Sequence, residues 1–138
     1  MLVAYLTFNG NAEEAFNFYK SALGATIVNL QRMGDGPGGA QMPDSEKKKI
    51  MHIALEGPHG IRLMASDYFD FSGEPFTPGN NFSLSLHPDS DALSDELFSK
   101  LSAGGTVIMP MAKAPWGDYF GMFSDKFGIK WMVNHAQK

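Results

Sequence analysis

The same order of predicted secondary structure occurs twice along this chain, and an internal repeat restricts the possible folds more than any single motif does. Each copy begins with a strand, continues with a helix that ends at glycine, and finishes with three strands. Residues 24–27 align with residues 104–107 at a shift of 80, whereas the closing hairpins align at a shift of 68. The first copy therefore carries an insertion of 12 residues (80 − 68). Two tandem βαβββ modules of the α+β class are predicted.

The first copy contains one amphipathic helix, expected over residues 11–23. Asn11 and Glu14 predict its start as an Asx-x-x-Glu cap, and Gly24 predicts its end. Alternation and turn residues predict four strands, over residues 2–8, 26–33, 50–56 and 61–66. Helical spacing predicts one buried face, made of Ala12, Ala15, Phe16, Tyr19, Ala22 and Leu23.

The second copy restarts the pattern after a stretch rich in proline and glycine. A helix is expected to begin near Asp89 or Ser90 and to end at Gly104 and Gly105. Its inward side chains are predicted to be Leu93, Leu97, Phe98 and Leu101. Four strands are predicted over residues 82–86, 106–109, 118–123 and 129–134, the last two joined by a turn at residues 125–128.

The insertion in the first copy corresponds to the loop at residues 34–48. It contains a Gly-Pro-Gly-Gly run, a composition that holds regular structure poorly. Because the second copy lacks it, we expect this loop to move more than any other internal segment and to act as a lid.

Length and charge limit the classes of protein that this chain can be. Its 138 residues suit one domain, with halves at about 1–67 and 82–136 and a linker at 68–81 that includes Gly73.

No apolar run approaches the roughly 20 residues of a membrane span, and the N-terminus lacks a secretory pattern, so a cytoplasmic protein is expected. The net charge of −4 and the absence of a basic stripe argue against nucleic acid. Without cysteine, thiolate ligands and nucleophiles are excluded.

Several separated motifs then point to a family. They are residues 9–15 (Asn-Gly-Asn-Ala-Glu-Glu-Ala), Phe18-Tyr19, Leu23-Gly24, residues 116–121 (Trp-Gly-Asp-Tyr-Phe-Gly) and residues 125–131 (Asp-Lys-Phe-Gly-Ile-Lys-Trp). Together they resemble the PhnB-like branch of the glyoxalase, bleomycin-resistance and dioxygenase superfamily, whose members are also called vicinal oxygen chelate proteins. The resemblance spans nearly the whole chain and implies a cupped, mostly antiparallel sheet around one shared pocket that commonly holds a divalent metal.

The resemblance also implies where metal ligands would lie. By the superfamily's usual spacing, the first pair falls at Tyr5 and Ser85 or one residue earlier in each copy, and the second pair falls at Met64 and Met132. Thioethers are poor ligands for hard or borderline divalent ions. No metal site and no cofactor are therefore predicted, and a divalent metal held by shifted ligands is the alternative.

Other residues are candidates for contact with a ligand. His52 lies in a predicted strand and is interpreted as a sheet histidine bonded within its own half, as a polar pocket residue, or as a metal ligand. Trp116 and Phe120 belong to an aromatic cluster in the last third of the chain, which suits either a pocket wall or ordinary core. The predicted ligand-binding residues are Tyr5, His52, Met64, Ser85, Trp116, Phe120 and Met132.

Three functions compete at this stage. The leading hypothesis is a protein that binds an unknown small molecule, with weak catalysis or none, and no catalytic residue is assigned. The second is a metal-dependent lyase, isomerase or dioxygenase whose ligands come from His52, His87 or acidic residues, and the third is an interaction module. Relatives are often labelled 3-demethylubiquinone methyltransferases, but no Gly-rich strand-to-helix loop of the nucleotide-binding type is present. A homodimer is expected, since pairing would cover sheet edges.

Strand alternation makes one further prediction about the last strand. Trp131 and Val133 lie on one face and Met132 and Asn134 on the other. Trp131 is predicted to be core, whereas Met132 is predicted to face the ligand with Met64, Tyr5 and Ser85.

Overall fold

The computed structural model describes residues 1–69 and 75–137 and forms two compact units, Met1–Phe76 and Thr77–Lys138. Each unit holds one copy of the repeat. The part of the predicted linker at residues 70–74, with Gly73, lies outside the described residues.

Unit 1, Met1–Phe76, is a four-stranded mixed sheet with one long helix. Its regular elements are β1 (Ala4–Phe8), α1 (Ala12–Leu23), β2 (Thr26–Arg32), a short α2 (Asp44–Lys47), β3 (Ile50–Glu56) and β4 (Arg62–Asp67). The strand order is β1-β4-β3-β2, in which β1 is parallel to β4 and the other pairs are antiparallel. The predicted βαβββ order is confirmed for this half.

The core of unit 1 lies between α1 and one face of the sheet. All six predicted inward residues of α1 are buried, and Phe16 and Tyr19 have no exposed surface. The Phe16 ring meets Phe8 of β1 edge-on at 6.3 Å. Burying side chains of this size contributes about 1.5–3 kcal/mol each, so this face holds the helix in place.

The start of α1 differs from the prediction. Asn11 precedes the helix but makes no side-chain capping hydrogen bond. Instead Asp67, at the end of β4 and only 2% exposed, accepts hydrogen bonds from the backbone N–H groups of Ala12 (2.9 Å) and Ile50 (2.8 Å). A distant carboxylate thus takes over the capping role and joins the helix start to β3, which local sequence spacing could not reveal.

The insertion at residues 34–48 contains regular structure that was not predicted, while its mobility and lid role stay predictions. It contains 3-10 turns at Met33–Asp35 and Gly39–Gln41 before α2. The Cα of Gly39 lies so close to the backbone of Gly34 that a β-carbon would overlap it. Glycine in this loop therefore permits close backbone packing, so the prediction of a segment without regular structure was wrong.

Unit 2, Thr77–Lys138, repeats the arrangement. Its elements are β5 (Leu84–Leu86), α3 (Asp91–Ser102), β6 (Thr106–Lys113), β7 (Tyr119–Ser124) and β8 (Lys130–His135). The strand order is β5-β8-β7-β6, with β5 parallel to β8. β6 is longer than the predicted residues 106–109, because bulges keep it paired with β7 as far as Lys113. Its proline is tolerated because β6 is an edge strand.

The core of unit 2 is organised around Trp131, which is 2% exposed. Its Nε1–H donates to Oδ2 of Asp125 at 2.8 Å, while Oδ1 of Asp125 accepts from the N–H groups of Phe127 and Ile129 in the hairpin turn. α3 starts with a side-chain cap, since the Ser90 hydroxyl accepts from the N–H of Leu93 at 3.0 Å. Trp131 is therefore core, as its strand phase predicts.

Both units have the α+β architecture that the repeat predicts, with two of three strand pairings antiparallel in each sheet. Within the described ranges, no helix is both long enough and apolar enough to cross a bilayer.

Candidate functional site

Strand alternation gives each sheet one face that packs on its helix and one that does not. We call the second the distal face. In unit 1 it carries Tyr5, Thr7, His52, Met64 and Ser66; in unit 2 it carries Ser85, Phe120, Met122, Met132 and Asn134. The opposite side chains, such as Phe123 and Trp131 in unit 2, are buried toward the helix, as the 5.0 Å contact of Phe98 with Phe123 shows.

The two pairs of predicted ligand positions are equivalent in the two units. Tyr5 is paired with Met64 across β1 and β4, and Ser85 is paired with Met132 across β5 and β8. These pairs differ by the same shifts of 80 (85 − 5) and 68 (132 − 64) that relate the two sequence copies. The structure therefore brings together each predicted pair on the distal face of its own sheet.

In unit 1, Tyr5 and His52 form a direct contact. The Tyr5 hydroxyl lies 3.2 Å from Nδ1 of His52, and their rings are stacked with centroids 5.8 Å apart. If the hydroxyl donates to Nδ1, the neutral imidazole carries its proton on Nε2 and presents an N–H donor. His52 is also paired with Gln31, and Thr7 with Ser66, so hydrogen-bonding side chains occur on all four strands. This contact agrees with a histidine bonded within its own half.

In unit 2, methionines occupy a row across the distal face. Met132 is paired with Met122, and Met122 with Met109 of the edge strand. Sequence reasoning did not assign Met109 and Met122 to the site. Both are paired in one row with Met132, so aligning the three strands by their hairpin turns could have placed them on the same face. Flexible thioether side chains make an adaptable apolar surface.

Two other predicted residues lie beside the methionine row. Phe120 is 7% exposed although it belongs to the distal face, and the Trp116 ring meets it edge-on at 5.1 Å. Trp116 itself is 61% exposed. Ser85 bonds through its hydroxyl to Nε2 of His87 at 3.0 Å. Trp116 thus shields Phe120 and leaves most of its own ring available for contact.

Neither equivalent pair fits a divalent metal. Tyr5 with Met64, and Ser85 with Met132, offer only hydroxyls and thioethers, which hard or borderline ions bind poorly without carboxylate or imidazole partners. Among the residues that the structure describes, no three His, Asp or Glu side chains are grouped so as to hold an ion. Neither pair is therefore suited to metal-assisted chemistry.

Four aspartates make hydrogen bonds that stabilise the structure. Asp118 accepts a hydrogen bond from Nδ2 of Asn134 at 3.0 Å. The Tyr119 hydroxyl donates to Asp95 at 2.6 Å, and this hydrogen bond, more than burial or the charge itself, raises the pKa of Tyr119 to about 12. Asp67 accepts the backbone hydrogen bonds at the start of α1 and β3, and Asp125 accepts the hydrogen bond from the Trp131 indole.

Comparison with protein families gives a match over nearly the entire chain. The family model described as Glyoxalase/Bleomycin resistance protein/Dioxygenase superfamily matches residues 2–133.

Individual relatives agree with this match. The crystal structure of protein PA1353 from Pseudomonas aeruginosa is 41% identical, with a TM-score of 0.86 over 100% of this chain and 98% of that one. A Bacillus cereus structure titled putative 3-demethylubiquinone-9 3-methyltransferase, PhnB protein, is 27% identical with a TM-score of 0.79, covering 98% of both chains. Protein YjdN of Escherichia coli strain K12 is 28% identical over 96% of this chain and 93% of its own length.

Proposed function

Because this chain belongs to the glyoxalase, bleomycin-resistance and dioxygenase superfamily, we propose that it is a PhnB-like protein that binds a small organic molecule on the distal faces of its sheets, without the usual metal quartet. The observation that carries this proposal is the pair of equivalent positions at Tyr5–Met64 and Ser85–Met132. Their side chains suit contact with organic groups better than coordination of an ion.

The chemistry of the two faces indicates what such a molecule contains. The methionine row and Trp116 favour an apolar body, preferably aromatic, because thioethers and indole rings both pack well against aromatic groups. In the tautomer in which Nδ1 of His52 accepts from the Tyr5 hydroxyl, Nε2 carries the proton and favours an acceptor oxygen, such as that of a ketone or carboxylate. Within unit 1 alone, the Tyr5 ring and Met64 offer apolar contact beside His52, so an aryl carbonyl compound suits that face.

The proposal is tested by titrating the purified protein with acetophenone, an aryl ketone, and with ethylbenzene, its hydrocarbon analogue. Acetophenone is expected to bind more tightly, and His52→Phe is expected to reduce that preference about fivefold, the value of one hydrogen bond near 1 kcal/mol. Phenylalanine keeps a ring beside Tyr5 and occurs naturally at the equivalent position, Phe120. Lys20→Ala, on the exposed side of α1, is the control.

Two results would contradict the proposal. One is equal binding of both probes by the wild-type protein and by His52→Phe. The other is stoichiometric Zn, Mn, Ni or Fe in protein purified without chelators, which would favour the metal-dependent enzyme.

A homodimer is proposed as the assembled form. The edge strands β2 and β6 expose apolar side chains, among them Val28 (52%) and Val107 (48%). Pairing with a second copy would cover such edges. Light scattering should then give about twice the monomer mass of 15.1 kDa, and a monomer at micromolar concentration would contradict this assembly.

A further inference from the structure

Unit 1 contains a cleft of about 580 Å³ beside the start of α1 and the insertion. It is lined by Gly10, Glu13, Arg32, Ser45, Lys48 and Lys49. None of these residues belongs to the distal face, so the cleft is separate from the ligand surface proposed above. Its volume lies within the range of about 300–1,000 Å³ that is usual for small-molecule sites.

The cleft is positively charged in a chain whose net charge is −4. Three cationic side chains and one carboxylate line it, giving a local charge of +2. Glu46 lies just outside and pairs with Lys49 at 3.1 Å, and the charge of Asp35 also acts on Arg32, so the positive charge left without an ion-pair partner is that of Lys48. A site of this sign favours an anion.

The positively charged side chains of the cleft differ in the contacts that they make. The Arg32 guanidinium donates to both carboxylate oxygens of Glu13, at 3.0 and 2.8 Å, and to the carbonyl oxygen of Lys48 at 3.0 Å. This fixes the wall between α1, β2 and the insertion and raises the pKa of Arg32. The Lys48 ammonium, by contrast, makes no ion pair with any residue in the described ranges. It is therefore available to an incoming anion.

The second copy of the repeat shows that the fold does not require these charges. At a shift of 68, Lys48 and Lys49 correspond to Trp116 and Gly117, and at a shift of 80, Arg32 corresponds to Ala112. The positive cleft is thus a property of unit 1 and its insertion rather than of the βαβββ module.

We infer that this cleft binds the phosphate group of a small phosphate ester. Lys48 provides the attracting charge and Ser45 a hydroxyl donor, while Arg32 and Glu13 hold the walls. A dianionic phosphate accepts several such donors at once. The cleft is larger than a phosphate ion alone, so the remaining volume accommodates the organic part of the ester.

The test is calorimetric titration of the full chain with glucose 6-phosphate, inorganic phosphate and glucose as probes. The salt concentration is about 50 mM, because low ionic strength preserves attraction between exposed charges. Glucose 6-phosphate is expected to bind most tightly and glucose not at all. Lys48→Ala should weaken glucose 6-phosphate about fivefold, and Glu46→Gln, which releases Lys49, should strengthen it about twofold.

Lys20→Ala is the matched control, because it removes the same charge from the far end of α1. The inference is overturned if Lys48→Ala and Lys20→Ala weaken binding equally, since net charge alone would then explain the effect. It is also overturned if the wild-type protein shows no saturable heat, or if inorganic phosphate binds as tightly as the ester.

Discussion

The two units share one fold but present different chemistry on their distal faces. Across the four strands of unit 1, one row contains Tyr5, Met64, Ala54 and Asn29. The equivalent row of unit 2 contains Ser85, Met132, Met122 and Met109. The next row holds His52 in unit 1 and Phe120 in unit 2. Unit 1 is thus richer in hydrogen-bonding groups, and unit 2 is richer in methionine and aromatic groups.

This difference shows which part of the module is free to vary. Side chains facing the helix must fill a close-packed core, whereas alternate side chains on the same strands face away from it. The repeat can therefore keep Phe16 and Leu101 as buried helix residues while exchanging histidine for phenylalanine on the distal face. The two distal faces therefore differ in the chemical groups that each can contact.

The largest expected effect concerns the two faces of β8. Trp131→Ala should lower the free energy of unfolding by about 3–5 kcal/mol, because it leaves a cavity and removes the indole partner of Asp125. Met132→Glu, on the distal face, should cost no more than about 1 kcal/mol. Urea denaturation of both variants measures the difference. Equal losses would show that Met132 is also core and would remove it from the ligand surface.

The next effect concerns how each helix is anchored. Asp67→Asn should destabilise unit 1 by about 1.5–3 kcal/mol, because the buried carboxylate accepts two backbone N–H groups. Ser90→Ala should destabilise unit 2 by about 1 kcal/mol, the usual value of a local cap. Hydrogen exchange at the first turns of α1 and α3 distinguishes the sites. A smaller effect for Asp67→Asn would contradict the idea that a long-range anchor replaces the local cap in unit 1.

A smaller effect is expected at the ion pair of Glu13 with Arg32, which unit 2 lacks. The hydrogen bond from Arg32 lowers the pKa of Glu13 below its ordinary value of 4.5. The pair therefore stabilises the folded state above about pH 4.5, and this stabilisation is lost as the pH falls through the lowered pKa. Because both side chains are partly exposed, Glu13→Gln should cost only about 0.5–1 kcal/mol at pH 7. Thermal melts at pH 7 and pH 3 should show the difference becoming smaller in acid.

The smallest effect on stability is expected at Tyr119 in unit 2. Its hydroxyl should ionise near pH 12, and Asp95→Asn should bring that pKa back toward 10. Since folding raises this pKa, the folded state retains the proton, and the associated stabilisation is lost only as the pH rises toward 12. Ultraviolet titration of phenolate absorbance, compared with Tyr119→Phe to identify the signal, measures the shift. Identical titration of the wild-type protein and Asp95→Asn would contradict the hydrogen bond.

Much of this architecture could be predicted from sequence, because the spacing of apolar residues along a helix or strand indicates which side chains are buried. The six buried residues of α1, the glycine at its end and the phase of Trp131 all follow from spacing. The Asp67 anchor could not be predicted, since its partners Ala12 and Ile50 are 55 and 17 residues away. The same applies to the Tyr5–His52 contact, which depends on the pairing of β1, β4 and β3. The site positions themselves were inferred from the family resemblance, and their role in binding stays a prediction.

The most direct test of ligand binding on the distal faces is methyl NMR of the nine methionines, assigned by single Met→Leu variants and followed during titration with acetophenone. Met64 and Met132 occupy equivalent positions in the two units and therefore report on the two faces separately. We predict saturable shifts at Met64, Met132 and Met122, no shift at Met1, and a reduced response of Met64 in His52→Phe. Saturable binding that shifts other methionines while Met64 and Met132 stay unchanged would contradict the account.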